Sequence, residues 1–464
     1  MVTFTGLDFF VVAAVFAATI TLGFSAKLRN NTSLQLLAAG RKLTLPLFVA
    51  TLVTTWYGGI LGVGEAFDAY GWSSWIALGV PYYVFGLVYA LMFARRVRIE
   101  EQISLPERFE RCYGLPSRLF GAVLVLLLGI PAAHVFMLAA LTQAVGGPQI
   151  PLATAAVIGA AIGTAALYRG GLLADARANL AAFVMMYVSF IVIVIESIVH
   201  PSHAHPLPAT HTSWDGGQGV LFVIGWFLIG SWTLVDPGFH QRAASAETPE
   251  VSRRGVIVSV AFWVLFDALT LTTAYFAYRA LGPGLGAKLF IAYGDAALPN
   301  GLKGVFFAGM LGVILAAMTG YSLVSGGTIG RDIFGRVLGI QTERSLANAS
   351  RAGVAVSTVL AIVLALTVKS VVYLWYDVGG LAIPGLLVPT IFAYSGRVAI
   401  SAGTALASMI GGSGGAAAWL ILKNEGWLSK LGEYGKLHHI YAGLGGAAAA
   451  LSIGMAIERT RRTR

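Results

Sequence analysis

Long runs of apolar residues, separated by short charged loops, dominate the pattern along this chain. The first run has no basic segment before it, so it is typical of a spanning helix and not of a cleaved signal peptide. A helix needs roughly 20 mostly apolar residues to cross the hydrocarbon core of a bilayer. The pattern predicts thirteen such helices, at about residues 6–26, 45–70, 72–95, 115–145, 149–168, 178–199, 219–238, 255–280, 301–330, 351–373, 376–395, 400–422 and 438–458.

The composition supports this pattern. Hydrophobic residues make up 57% of the 464 residues and charged residues only 11%, whereas a soluble domain carries about 25% charged residues. Glycine is abundant, with 57 residues, and membrane helices use it for close backbone approach. The single cysteine, Cys112, excludes an intrachain disulfide. The chain is therefore predicted to be an all-α polytopic membrane protein.

The distribution of positive charge predicts the topology. Cytoplasmic loops carry an excess of Lys and Arg, and an N-terminus outside the cell places most of the 31 basic residues inside. The outer side then keeps only Arg279, Lys288, Lys303, Lys369, Lys423, Lys430 and Lys436. This places the C-terminus in the cytoplasm and explains the net charge of +10 without a nucleic-acid partner. On the inner side, Ser104 and Glu107 predict a capping box that opens a short interfacial helix.

Two of the predicted helices contain glycines in mid-span. The second holds Gly58, Gly59, Gly62 and Gly64, and the seventh holds Gly225 and Gly230 before Asp236-Pro237-Gly238. Interior glycines weaken a helix by roughly 1 kcal/mol each, so they favour interruptions, with tight helix packing as the alternative. Interruptions five spans apart fit a 5+5 inverted repeat in helices 2–11. A single transporter domain, 1–464, would contain repeats at 45–199 and 219–395 and peripheral helices at 6–26, 400–422 and 438–458.

Several short motifs, in this order along the chain, resemble those of the sodium:solute symporter family. They are Ala39-Gly40-Arg41 with Leu43, Leu45 and Pro46; Thr55-Trp56-Tyr57-Gly58-Gly59 with Gly62-Val63; Tyr168-Arg169-Gly170-Gly171; Val235-Asp236-Pro237-Gly238-Phe239-His240-Gln241-Arg242; and Asp332-Ile333-Phe334. Their order and spacing carry the resemblance, which covers most of the chain. It implies a LeuT-type fold and transport by alternating access.

The resemblance also implies a cation site, which the family calls Na2. Its ligands would be the backbone carbonyls of Leu52, Thr55 and Val313, with two hydroxyls at the positions of Ala316 and Ala317. Because Na⁺ requires oxygen ligands, the two methyl groups put Na⁺ coupling in doubt. Many relatives also have a Thr-Asp pair where this chain has Ala178-Asn179. A shifted site that uses Thr54, Thr319 or Ser322 stays open.

Asp267 lies in the middle of the eighth predicted span. Ionisable groups at such positions are costly and usually functional, so Asp267 is a candidate proton site. The alternative is a buried acid that bonds to a neighbouring hydroxyl such as that of Thr270.

The solute pocket is expected beside the helix interruptions. Candidate substrate-binding residues are Thr54, Trp56, Tyr57, Gly58, Trp226, Trp232 and Tyr321, with Tyr83 as a weaker addition. Facing aromatic rings suit a flat ring or a quaternary amine held by cation–π attraction. The alternative for each aromatic residue is packing within the bundle or at the membrane interface.

The first functional hypothesis is a secondary active transporter of a small organic solute in the cell membrane, with Na⁺ or H⁺ as possible coupling ions. The alternatives are a solute-binding sensor without transport and a proton-coupled or uncoupled carrier. The chain lacks hydrolase, metalloprotease and P-loop motifs, so an enzyme is not expected. No cofactor and no obligatory protein partner is expected either. Whether the His-rich loop from His200 to His211 binds a metal stays open.

Overall fold

The computed structural model describes residues 2–147, 149–367, 370–396 and 399–462. Lys369, one of the outer basic residues in the predicted topology, lies outside the described residues. Within them the chain is helical, and the β structure is limited to an isolated bridge between Leu43 and Ala246. The predicted all-α class is thus confirmed.

Twelve helices form the first half of the chain. They are α1 (Gly6–Phe24), α2 (Ser33–Ala38), α3 (Leu45–Trp56), α4 (Ile60–Tyr70), α5 (Ser73–Leu78), α6 (Val80–Tyr89), α7 (Arg95–Glu100), α8 (Leu105–Tyr113), α9 (Leu115–Gly129), α10 (Ala132–Gly146), α11 (Leu152–Ala165) and α12 (Leu167–Val199).

The second half contains the remaining helices. They are α13 (Ala209–Thr212), α14 (Val220–Ile229), α15 (Trp232–Val235), α16 (Pro237–Ser245), α17 (Pro249–Leu281), α18 (Leu289–Ala297), α19 (Leu302–Gly327), α20 (Gly335–Val337), α21 (Glu343–Ala365), α22 (Val371–Ser395), α23 (Ala402–Asn424) and α24 (His439–Arg462). A π-helical turn, Thr328–Phe334, joins α19 to α20.

The described part of the chain forms 12 helical segments long and apolar enough to cross a membrane, and α11 is a shorter apolar helix. Large apolar side chains cover the outside of the bundle, as shown by Phe10, Leu91 and Ile195, which are 69%, 62% and 55% exposed. Such a surface suits lipid and not water. The protein is therefore a multi-pass membrane protein.

Three predicted boundaries differ from the structure. The predicted span 115–145 is two helices, because Pro131 lacks an N–H donor and holds Ile130 in an extended conformation (φ −67°, ψ 121°). The predicted span 149–168 is the 14-residue helix α11. The loop expected before residue 178 is instead the first part of α12, which bends at Gly171 (φ 52°) where a Cβ would lie 2.1 Å from the carbonyl oxygen of Leu36.

Both predicted glycine interruptions are present. The second spanning segment changes from α3 to a 3₁₀ turn at Tyr57–Gly59 before α4 begins. The seventh is broken after Ile229 and again at Asp236, whose extended backbone (φ −62°, ψ 120°) separates α15 from α16. The side chain of Asp236 then caps α16 by accepting from the N–H of Phe239 at 2.8 Å.

The centre of the bundle is formed by α3 and α12, which pack on each other and on both α17 and α19. Small residues permit this approach, as at Gly309 of α19, where a Cβ would lie 2.1 Å from Oγ of Ser189 on α12. At the periphery, α1 packs on α12 and α19, whereas α23 and α24 pair with each other and pack on α22. The exact bounds of the two repeats stay a prediction.

Candidate functional site

A cavity of about 340 Å³ lies beside the 3₁₀ turn that interrupts the second spanning segment. Its walls come from α3, α4, α5, α6, α9, α10, α15, α17, α19, α21 and α22 together with the 3₁₀ turn. Its aromatic lining residues are Trp56, Tyr57, Trp75, Tyr82, His134, Trp232, Tyr321 and Trp375. Ligand pockets in proteins typically measure about 300–1,000 Å³, so this cavity suits a small solute.

Four of the predicted substrate-binding residues line the cavity, namely Trp56, Tyr57, Trp232 and Tyr321. The ring of Trp56 is held in place by neighbouring aromatic rings, with the centroid of Tyr82 at 4.8 Å. Oη of Tyr321 donates to the Asp236 carboxylate at 3.0 Å. Trp232 donates its indole N–H to the same carboxylate at 3.0 Å, and Oη of Tyr57 donates to the carboxylate of Asp267 at 2.9 Å. Each of these four side chains is therefore held by a neighbouring ring or a hydrogen-bond partner.

The other three predicted residues have different contacts and do not line it. The hydroxyl of Thr54 donates to the carbonyl of Ala50 within its own helix at 2.8 Å. Gly58 faces α19, where a Cβ on Gly58 would lie 1.8 Å from the Cβ of Ala317. The ring of Trp226 packs on Tyr376, with centroids 4.8 Å apart. For Trp226 the alternative of packing within the bundle fits the structure.

Asp267 of α17 reaches the cavity wall. One carboxylate oxygen accepts from Oη of Tyr57 at 2.9 Å, and the other accepts from Oη of Tyr83. Thr270, the partner weighed from sequence, donates to the backbone carbonyl of Asp267 and not to its carboxylate. The indole N–H of Trp75 donates to the Tyr83 oxygen at 3.2 Å, which extends this network along the wall.

The residues that match the family's cation position lie on two helices that pack together, α3 and α19. Val313, Ala316 and Ala317 are buried, as are Leu52 and Thr55. The carbonyl of Ala316 accepts from the hydroxyl of Thr319 at 3.1 Å. The side chains of Ala316 and Ala317 offer methyl groups and no oxygen, so this donor set does not fit Na⁺.

A fully buried arginine lies next to this position. Nη2 of Arg242, on α16, donates to the hydroxyl of Thr55 at 2.7 Å and lies 3.4 Å from the carboxylate of Asp175. Nε donates to the hydroxyl of Thr51 at 3.2 Å. A Cβ on Gly320 would lie 2.6 Å from Nη2, so the glycine leaves space for the guanidinium on the face of α19 that carries the alanines.

Asp175 joins α12 to the same network. Its carboxylate accepts from the hydroxyl of Thr319 at 2.7 Å and from Nδ2 of Asn179 at 3.1 Å. Asn179 occupies a position at which the family suggested by the motifs often carries an acid, and Asp175 supplies an acid one helical turn earlier. Sequence reasoning missed both Asp175 and Arg242, although Arg242 ends a motif that had been identified.

Ion pairs connect α8, the start of α9 and the π turn, at the end of the bundle away from the cavity. Arg331 of the π turn makes a bidentate contact with Glu107 of α8, at 3.0 and 2.9 Å. Arg118, at the start of α9, lies 2.7 Å from the Asp332 carboxylate and also bonds to Glu110. Half of the predicted capping box is present, because the Ser104 hydroxyl accepts from the Glu107 N–H at 3.2 Å. The Glu107 carboxylate accepts from the N–H of Ile103, the residue before the cap, at 2.8 Å.

The charges around Glu107 shift its acidity. Burial alone raises the pKa of this carboxyl, but Arg331 and the Ile103 N–H outweigh burial and hold the pKa below its ordinary value of 4.5. Burial disfavours the charged form of Glu110. Arg336 and Arg118 favour it more strongly, so the pKa of this carboxyl is likewise lowered. Both carboxylates therefore stay charged at neutral pH and keep this end of the bundle together.

The outermost histidines of the His-rich loop both form hydrogen bonds. His200 bonds to Glu196 at 2.8 Å, and Nε2 of His211 bonds to the carbonyl of Asp68 at 3.0 Å. Among the described residues, the group with spacing suited to a metal lies elsewhere and consists of Asp377, His438 and His439.

Solved structures with the same architecture include several transporters. A Na⁺-coupled sialic acid symporter in a substrate-bound outward-open state superposes with a TM-score of 0.75 at 11% identity, over 97% of both chains. Mhp1, a nucleobase-cation-symport-1 family transporter with bromovinylhydantoin bound, gives 0.55 at 16% identity, over 91% of this chain and 93% of its own. MhsT in complex with L-phenylalanine gives 0.52 at 14% identity, over 89% and 98%.

No protein-family model matches the chain, and no curated protein matches it in sequence. At 11–16% identity the structural likeness establishes architecture and not substrate. The helix count, the two broken segments and these superpositions agree with one another. The chain therefore has a LeuT-type fold.

Proposed function

We propose that the protein is a secondary transporter that moves a small organic solute across the cell membrane by alternating access. The observation that carries the proposal is the cavity at the break between α3 and α4, the kind of place where transporters of this architecture bind solutes. Aromatic side chains held by neighbouring rings and by hydrogen bonds give it a defined shape.

The two ends of the bundle support alternating access. The cavity extends toward the end where α4 finishes and α22 begins, with Trp75 and Thr367 in its wall. At the other end, the pairs Arg331–Glu107 and Arg118–Asp332 hold α8, α9 and the π turn together. A carrier must break and remake such contacts as it exposes its site to each side in turn.

The coupling mechanism in this proposal does not use Na⁺ at the family position. Two methyl groups replace the hydroxyl ligands there, and the buried guanidinium of Arg242 lies 2.7 Å from the Thr55 hydroxyl. A guanidinium is always charged, so Arg242 supplies a permanent positive charge beside the position where the family binds Na⁺. Transport is then driven by protons, by the solute gradient or by the membrane potential.

A thermal-shift screen followed by a transport assay tests this proposal. Purified protein is screened in detergent with amines, amino acids, sugars, carboxylates and nucleobases, in NaCl and in KCl of equal ionic strength. A ligand at 100 times its Kd adds about 2.7 kcal/mol of stability. The best ligand is then tested for counterflow in proteoliposomes, where exchange in KCl supports a Na⁺-independent carrier.

Two outcomes contradict the proposal. Binding without counterflow under any ionic condition indicates a sensor, the alternative function of a different class. Counterflow that requires Na⁺ and saturates with it shows that the cation position binds Na⁺ despite the alanines.

A further inference from the structure

The described lining of the cavity contains an acidic residue and no Lys or Arg. Of its described lining residues, Asp267 is the only one of type Asp, Glu, Lys or Arg. Within the described ranges no basic side chain forms an ion pair with this carboxylate, whose side-chain partners are the hydroxyls of Tyr57 and Tyr83. A carboxylate accepts about four hydrogen bonds, so Asp267 has capacity for a further donor or cation.

Aromatic rings form a second part of the cavity wall. Trp56, Trp75, Trp232 and Trp375 line the cavity together with Tyr82 and Tyr321. The face of an indole or phenol ring attracts a cation, by about 0.5–2 kcal/mol for each well-placed contact. Both the carboxylate and the rings therefore favour a positively charged ligand. The described lining contains no Lys or Arg, which would favour a negatively charged one.

We propose that the solute is an organic monocation, an amine or a quaternary ammonium ion, whose charge lies toward Asp267 and whose carbon atoms pack against the aromatic wall. This inference rests on the proposed carrier function and names its substrate class. Carboxylates fit the wall less well, since the described lining contains no Lys or Arg to pair with an anion and Asp267 would repel one.

The assignment also accounts for transport without Na⁺. A monovalent cation moving into a compartment that is 100 mV negative gains about 2.3 kcal/mol, which corresponds to an accumulation of about 50-fold. A carrier for such a solute needs no coupling ion. The lack of hydroxyl ligands at Ala316 and Ala317 then does not impair transport. The competing role for Asp267 is a proton site, in which the solute itself is uncharged.

Ligand pairs that differ only in charge separate these possibilities. Each quaternary ammonium ion is compared with its uncharged carbon isostere, for example benzyltrimethylammonium with neopentylbenzene, by thermal shift on the unmodified protein in KCl. We expect the ammonium ion to raise the melting temperature and the isostere to leave it unchanged. Equal stabilisation by both, or none by any ammonium ion, overturns the assignment.

A matched pair of variants tests the role of the carboxylate. Asp267→Asn should weaken binding of benzyltrimethylammonium at least about tenfold, by loss of the charge attraction. Asp215→Asn removes a partly exposed acid of the loop before α14, outside the cavity lining, and should leave the affinity unchanged. Unchanged affinity in Asp267→Asn overturns the proposal, and the ligand pairs decide the question if that variant does not fold.

Transport distinguishes failure of this assignment from failure of the carrier proposal. Counterflow of a sugar or a carboxylate, with no response to ammonium ions, supports the carrier proposal and refutes the cationic substrate. Binding of ammonium ions without counterflow supports the cationic ligand and refutes the carrier proposal. If both proposals hold, an inside-negative K⁺ diffusion potential accelerates uptake of benzyltrimethylammonium.

Discussion

The guanidinium of Arg242 lies 2.7 Å from the hydroxyl of Thr55, in the last turn of α3 before the chain breaks. The same guanidinium contacts the buried carboxylate of Asp175 on α12. A positive charge from α16 thus joins two central helices next to the position at which the family binds Na⁺. Several measurable consequences depend on this arrangement and on the cavity beside it.

Removal of Arg242 should make the protein responsive to Na⁺. Arg242→Ala leaves Asp175 beside the hydroxyls of Thr51, Thr55 and Thr319, which form an oxygen-rich set with one negative charge. Loss of one partner from a buried ion pair costs about 3–5 kcal/mol. We expect a lower melting temperature that NaCl restores in part, relative to KCl.

The double variant Arg242→Ala with Asp175→Asn is the control for this prediction. It removes both charges, so its melting temperature should not distinguish NaCl from KCl. The unmodified protein should not distinguish them either, and a saturable response to Na⁺ in that protein would show that the guanidinium does not replace the ion.

Gly58 should be intolerant of any side chain. A methyl group there would lie 1.8 Å from the Cβ of Ala317, so Gly58→Ala forces the 3₁₀ turn and α19 apart at a cost of about 1–3 kcal/mol. Gly64→Ala is the control in the next helix, because its methyl would meet Phe290 at an ordinary 3.4 Å. Melting temperatures should fall for the first variant and stay close to that of the unmodified protein for the second.

A second substitution checks the cause of this effect. Ala317→Gly removes the methyl that Gly58→Ala would strike, so the pair of changes should recover part of the lost stability. A double variant no more stable than Gly58→Ala alone would place the clash elsewhere, for instance at His134, whose ring lies 3.0 Å from the added methyl.

Acid should weaken the ion-paired end of the bundle. The pKa of Glu107 in the folded protein is lower than its ordinary value of 4.5. The stability it contributes is therefore complete above that value and is lost as the pH falls through the folded pKa. We expect the melting temperature to fall between about pH 5 and pH 3, where acid protonates paired carboxylates.

Glu107→Gln tests the assignment of this loss. The variant should be less stable than the unmodified protein at pH 7, and the difference should shrink as the pH falls toward 3. Glu425→Gln changes an exposed residue after α23 and should keep the original pH dependence. A constant difference between Glu107→Gln and the unmodified protein across this range would contradict the prediction.

Two tryptophans with different positions should affect ligand binding differently. Trp375 lines the cavity, whereas Trp226 packs on Tyr376 outside it. Trp375→Ala should weaken binding of the best ligand by roughly 3- to 30-fold, which corresponds to one cation–π contact. Trp226→Phe should leave the Kd unchanged. Equal losses in a titration by thermal shift would mean that the cavity is not the binding site.

Sequence patterns predicted the fold better than the site. The breaks at Gly58-Gly59 and after Ile229 followed from clustered glycines, which weaken a helix locally. The break at Ile130–Pro131 was missed, because a proline within an apolar run is often tolerated in a membrane helix. Trp226 was assigned to the pocket because composition places a residue on a helix without fixing the direction in which its side chain points.

The pair Arg242 and Asp175 shows why the rest of the site could not be predicted from the sequence. The two residues are 67 positions apart in the chain, and their contact depends on how α12 and α16 pack. Two charged residues in apolar surroundings were a usable signal, since a charge buried in a membrane protein requires a partner. The pairing itself followed only from the structure.

Counterflow in proteoliposomes tests the central claim most directly. Vesicles loaded with an unlabelled ligand from the thermal-shift screen are diluted into KCl with a trace of the labelled ligand, without Na⁺. The account predicts transient accumulation of label inside these vesicles and none in vesicles without protein. Absence of accumulation with a ligand that binds, or accumulation only after Na⁺ is added, would contradict it.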